Sequence, residues 1–181
     1  MFDFFPSIQR KYSSFLFIFA KILHEKFKLS PNKISIISLL FSLLSAFLIL
    51  SNQLIVALLM LAISLFLDAL DGTVARKYNL TSALGQKLEI IFDRTSEFVI
   101  FAALSLSGVV GIDLVLFTML AILIMTALSF KTKYDFGAKR IMVFFGPLIG
   151  FSNIFYFIIA VQVLAITASL IKLIKRYGHF E

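Results

Sequence analysis

Long apolar runs separated by short polar breaks set the pattern of this chain, and run length is its most informative feature. Residues 32–50, 54–77, 82–107 and 114–130 are each long enough, as helices, to cross a hydrocarbon layer. At 1.5 Å per residue, about 19 residues reach about 28 Å. Residues 141–151 form a shorter fifth run containing Gly146-Pro147, which predicts a helix that starts within the preceding loop and kinks. Residues 153–173 are the sixth. Ser30 is a candidate N-cap for the first span, with Pro31 at its first helical position. Ahead of the spans, residues 7–28 set Ile8, Tyr12, Phe15, Leu16, Phe19, Leu23 and Phe27 on one stripe. Arg10, Ser14, Lys21, Glu25 and Lys28 fill much of the other face, the pattern of a helix lying in the headgroup plane.

The expected fold is therefore an all-α integral membrane protein: six transmembrane helices preceded by an amphipathic interfacial helix. It reads as a single domain over residues 1–181, with 1–29 as the juxtamembrane helix and 30–176 as the bundle. A hydrophobic share of 60% excludes an ordinary soluble domain, which sits nearer half. The net charge of +7 does not indicate nucleic-acid binding, because of where the cations lie. All 17 Lys and Arg except Arg94 fall in or near the N-terminal segment, the second-to-third loop, the fourth-to-fifth loop and the C-terminal tail. The turns at Ser51, Gly108 and Gly150 hold none, so both termini are expected on the cytoplasmic side. Arg94 lies deeper, and an ion pair with Asp93 is the expected reason. Cysteine is absent, so no disulfide contributes. Basic residues interrupt the N-terminus, which is not the pattern of a cleaved signal.

Apolar periodicity does not explain the acids. Asp68 and Asp71 are three residues apart on the second span, and Glu89 and Asp93 four apart on the third, so each pair shares a face. Two antiparallel helices joined by a short loop can bring all four carboxylates into one cavity open to the cytosol. Intramembrane acids are costly and usually pair, bind ions or perform chemistry. Two divalent cations would balance the charge, and an all-oxygen ligand set favours Mg²⁺ or Mn²⁺. Gly72, Ala75 and Gly85 permit close approach of a helix or a substrate. Arg76 suits a phosphate, and Ser82 can donate a hydroxyl hydrogen bond to one.

As it stands here, D-x2-D-G-x2-A-R-x8-G-x3-E-x3-D resembles the signature of the CDP-alcohol phosphatidyltransferases, with Glu89 where the family has Asp. The resemblance extends to the six spans, the surface helix and the entry Pro31-Asn32-Lys33. It implies attack of an alcohol hydroxyl on the β-phosphate of a CDP-linked lipid, with release of CMP. By position it implies Asp68, Asp71 and Asp93 as metal ligands and Asp93 also as general base. Gly72, Arg76 and Ser82 would contact the CDP moiety, together with Gly85, Asn32 and Lys33. It also suggests a homodimer. Glu89 carries one more methylene than Asp, displacing its carboxylate by roughly 1.5 Å on a fixed backbone. Its charge is preserved, so it is read as a retained ligand; binding of one ion only, or weakened activity, are the alternatives.

Lys131, Lys133, Lys139 and Arg140 in the fourth-to-fifth loop suit an acceptor that carries its own phosphate, although orientation alone would also place them there. The text IFDRTSEFVIF around Asp93 is similar to the inositol-phosphate branch of the family. Inositol phosphate is thus the expected acceptor, ahead of glycerol 3-phosphate and serine. A membrane protein without this chemistry, or an ion transporter, is the alternative class. A transporter would more often carry its acids near the midplane with repeat symmetry.

Overall fold

The computed structural model describes residues 15–132 and 139–177, and among these every regular element is helical. A backbone in lipid must satisfy its polar groups within the segment, and the apolar runs do so as helices. They are α1 (Pro31–Leu50), α2 (Leu54–Lys77), α3 (Ala83–Leu106), α4 (Ile112–Thr132), α5 (Lys139–Met142), α6 (Gly146–Ile149) and α7 (Phe151–Tyr177). A 3₁₀ turn, Val143–Phe145, joins α5 to α6. Residues 15–21 are helical and run into a π-helical turn, Ile22–Lys26. The expected surface-helix residues 7–14 lie outside the described residues.

α1, α2, α4 and α7 are long and apolar enough to cross a membrane. α3 is 24 residues long but carries Lys87, Glu89, Asp93, Arg94 and Glu97. The expected six helices become seven among the described residues, because the fifth run is divided. α5 begins at Lys139, the 3₁₀ turn interrupts it, and Gly150, at φ 89°, ends α6 in a conformation that a side chain would strain.

The chain divides into two compact units, residues 1–48 with 53–99 and residues 49–52 with 100–181. In the first, α1 and α2 run antiparallel along a seam of buried serines. Ser38 donates to the Ser64 carbonyl at 2.8 Å, Ser42 bonds the Ser64 hydroxyl at 2.7 Å, and Ser45 donates to the Ala57 carbonyl at 2.7 Å. Small residues let helix backbones approach, and hydroxyl bonds hold them there where lipid competes poorly. The N-terminal segment packs Leu16, Ala20 and Leu23 onto Leu70, Val74 and neighbouring side chains. Its Phe19 ring lies 5.4 Å from that of Phe66. His24 stacks on Tyr78 at 4.2 Å, and the Tyr78 hydroxyl donates to Glu25 at 2.8 Å.

In the second unit α4 and α7 run parallel. Lys172 donates to the Thr132 carbonyl at 2.8 Å, while Ser169 contacts the Thr132 hydroxyl at 3.5 Å and Met125 Sδ at 3.9 Å. A parallel neighbour obliges the intervening chain to retrace the length of α4, about 30 Å for 21 residues.

Candidate active site

Asp71 stands near the C-terminal end of α2 and is only 4% exposed. Ser35 on α1 donates to its Oδ2 at 2.5 Å. One turn further along, the Arg76 side chain leans back over Gly72. A β-carbon on that glycine would lie 3.3 Å from Arg76 Nη1. Helical side chains tilt towards the N-terminus, so a long residue covers the turn before it.

The connection to α3 brings a second group of polar atoms to the same place. Ser82 is the residue before α3, and its hydroxyl accepts the Gly85 backbone N–H at 3.0 Å, which is the geometry of an N-cap. A β-carbon on Gly85 would lie 3.0 Å from Ser82 Oγ and 3.5 Å from Asn32 Oδ1. The bare backbone there lets the start of α1 approach the start of α3.

A cleft of about 240 Å³ opens among these residues. Its lining includes Asn32 and Ser35 from α1, Asp71, Gly72 and Arg76 from α2, Ser82 from the connection, and Gly85 and Glu89 from α3. The expected residues Asn32, Asp71, Gly72, Arg76, Ser82, Gly85 and Glu89 are thus brought together. Asp68 and Asp93 do not line the cleft. Asp71 is nevertheless within electrostatic range of Asp68 and Glu89, and Glu89 within range of Asp93 and Arg76. Lys33 is exposed near the start of α1 and is also absent from the lining.

Ser35, Thr81 and Gln86 line the cleft as well, and the sequence reading passed over them. For Ser35 a signal was present: Ser35, Ser38, Ser42 and Ser45 recur at steps of three and four along α1, marking one helix face. Gln86 precedes Glu89 by three residues, on the same face.

Arg94 forms an ion pair with Glu97, three residues further along α3, with both side chains largely buried. Adjacent helical residues point about 100° apart, whereas residues three apart share a face. Lys139 and Arg140, expected in a loop, begin α5 and are buried, at 3% and 6% exposure. Lys131 is exposed near the end of α4, and Lys133 lies outside the described residues. Lys131, Lys139 and Arg140 belong to the second unit.

In donor chemistry the cleft suits a hard divalent cation. Its acids offer carboxylate oxygens only, and the chain contains no cysteine thiolate that would favour softer ions. Among the described residues no three acidic or histidine side chains are gathered tightly around one point. Like charges in mutual range favour separation until a cation offsets them.

The fold has known counterparts. Mycobacterium tuberculosis phosphatidylinositol phosphate synthase, in a crystal structure with CDP-DAG bound, superposes with a TM-score of 0.72 at 16% identity. The match covers 86% of this chain and 91% of that one. The same enzyme in complex with manganese and citrate superposes with a TM-score of 0.70, also at 16% identity, over 84% of this chain and 85% of that one. In sequence, archaetidylinositol phosphate synthase of Pyrococcus horikoshii is 38% identical over 93 residues, 51% of this chain and 49% of that protein. CDP-diacylglycerol--inositol 3-phosphatidyltransferase of Saccharomyces cerevisiae is 42% identical over 66 residues, 36% of this chain and 30% of its own. The chain thus spans about half, or less, of the curated relatives it matches. The CDP-alcohol phosphatidyltransferase family description fits a far longer stretch, residues 28–178. That stretch runs from the end of the N-terminal segment through α7, signature helices included, and the chain accordingly belongs to the CDP-alcohol phosphatidyltransferases.

Proposed function

We propose that this protein transfers a phosphatidyl or archaetidyl group from a CDP-linked lipid to the hydroxyl of a small polar alcohol, inositol phosphate being the favoured acceptor, and releases CMP. The supporting observation is the shared cleft in which Asp71, Glu89 and Arg76 meet the N-terminal ends of α1 and α3. Helix N-termini present unbonded N–H groups and a positive dipole end, both suited to a diphosphate. Arg76 would grip the diphosphate, and Gly72, Ser82, Gly85 and Asn32 would shape the nucleotide subsite, with Lys33 nearby.

Asp68, Asp71, Glu89 and Asp93 would hold two Mg²⁺ or Mn²⁺ ions. Bound divalent ions offset the negative charge on the phosphates and on departing CMP. Asp93 would take the acceptor's hydroxyl proton as the oxygen bonds to the β-phosphorus and the bond to CMP breaks with its electron pair. Lys131, Lys133, Lys139 and Arg140 would serve an acceptor phosphate. The names of the archaeal and yeast relatives support an inositol-based acceptor for this chain. We also read six membrane passages, for which the parallel register of α4 and α7 speaks, with both termini and the cleft cytoplasmic and the protein acting as a homodimer.

The test is CMP release from radiolabelled CDP-lipid by purified protein, with Mg²⁺ or Mn²⁺ and each acceptor in turn. Release with inositol phosphate is expected. Release with glycerol 3-phosphate or serine alone would change the acceptor. No release under any condition would overturn the enzyme reading in favour of a non-catalytic or ion-transporting protein.

A further inference from the structure

Four serines on α1 face α2, and one of them ends differently from the rest. Ser38, Ser42 and Ser45 bond to the backbone or hydroxyl of Ser64 and to the carbonyl of Ala57. Those bonds join helix to helix. Ser35 alone of the four bonds a carboxylate, Asp71 Oδ2 at 2.5 Å, and it alone lines the cleft. Its oxygen also lies 3.1 Å from the Pro31 carbonyl. A hydroxyl has a single proton, and the shorter, charge-assisted contact with the carboxylate is the stronger bond. Asp71 is 4% exposed, so losing the bond leaves a carboxylate oxygen with little solvent to replace it.

We propose that Ser35 is a positioning residue for Asp71: its hydroxyl fixes the carboxylate rotamer and occupies one site on Oδ2, leaving Oδ1 aimed for a divalent cation. This rests on the metal-binding reading above. Hydrogen-bond partners behind a ligand orient it, and losing one typically weakens metal affinity by roughly 10–100-fold. Ser38, one turn along, supplies the contrast, because its bonds end on Ser64 and reach no acid.

The experiment is Mn²⁺ binding to detergent-purified protein without substrate, read as free Mn²⁺ by electron paramagnetic resonance and as the Mn²⁺-induced rise in unfolding temperature. The variants are Ser35→Ala, Ser35→Thr, Ser35→Val, Ser38→Ala and Asp71→Asn. We expect Ser35→Ala and Ser35→Val to weaken binding about tenfold or more, and Ser35→Thr and Ser38→Ala to bind like the unaltered protein. Thr and Val have the same shape, so that pair isolates the hydroxyl even where Ser35→Ala does not fold. Unaltered affinity in Ser35→Val would overturn the proposal and reduce Ser35 to one more helix-pairing contact. Mn²⁺ binding absent from the unaltered protein, or undiminished in Asp71→Asn, would instead overturn the metal-site reading on which the proposal stands.

Discussion

The guanidinium of Arg76 lies across the α-carbon of Gly72, with Nη1 3.3 Å from where a β-carbon would be. A methyl group at that position must push the guanidinium aside, and Arg76 is flexible and exposed enough to move. Gly72→Ala should therefore leave the fold intact, since Ala is the better helix former by about 1 kcal/mol. Its KM for CDP-lipid should rise by up to roughly tenfold, equivalent to about 1.4 kcal/mol. Unfolding temperature and CDP-lipid titration separate the two effects.

Ser82 serves the fold through the cap it makes with Gly85 and, on our reading, the substrate through its hydroxyl proton. Ser82→Ala should cost about 1 kcal/mol of stability through loss of the cap. Ser82→Asp keeps a capping oxygen but adds a negative charge beside the diphosphate subsite. We expect Ser82→Asp to match the unaltered protein in thermal unfolding and to fail in CDP-lipid binding.

Asp93 lies outside the cleft lining but within range of Glu89. If it takes the acceptor proton, Asp93→Asn should lower CMP release by about 10²–10⁴-fold while largely sparing CDP-lipid binding. Unchanged turnover would remove that assignment.

The N-terminal segment supplies a pH prediction. Desolvation first, and then the bond to Glu25, hold the Tyr78 phenol above its ordinary value. The folded state thus favours the protonated phenol, and this contribution is complete below pH about 10 and lost as pH rises through the raised value. Because the chain has no cysteine, Ala20→Cys places a single thiol in the buried contact. Its labelling, corrected for the thiol's own ionisation, should show an additional alkaline step that disappears when Tyr78→Phe is added.

Arg94 and Glu97 form a largely buried ion pair on α3. Removing either partner takes a close counter-charge from a largely buried group, and each single alanine should cost up to roughly 3–5 kcal/mol. Arg94→Met with Glu97→Leu should cost much less than the sum of the singles. Denaturation in detergent of the four proteins completes the cycle.

The sequence alone was enough for the long helices and for part of the acid pattern, since Asp71 and Glu89 line one cleft while Asp68 and Asp93 stand outside its lining. Both depend on local rules, helical rise against hydrocarbon thickness and side-chain spacing on one helix, and these need no knowledge of neighbours. They located α2 to the residue and placed Asp71, Arg76, Ser82 and Glu89 close enough in register to share a cleft. What depends on a second helix was decided only by tertiary structure. Ser35 reads as an ordinary small residue until antiparallel α1 brings it against Asp71. The Arg94–Glu97 pair went unread in the sequence, although residues three apart share a helix face. The early start and the break of the fifth run were legible in its short length and Gly146-Pro147, but the burial of Lys139 and Arg140 escaped charge counting, for burial is set by what packs around a residue and not by the residue's own polarity.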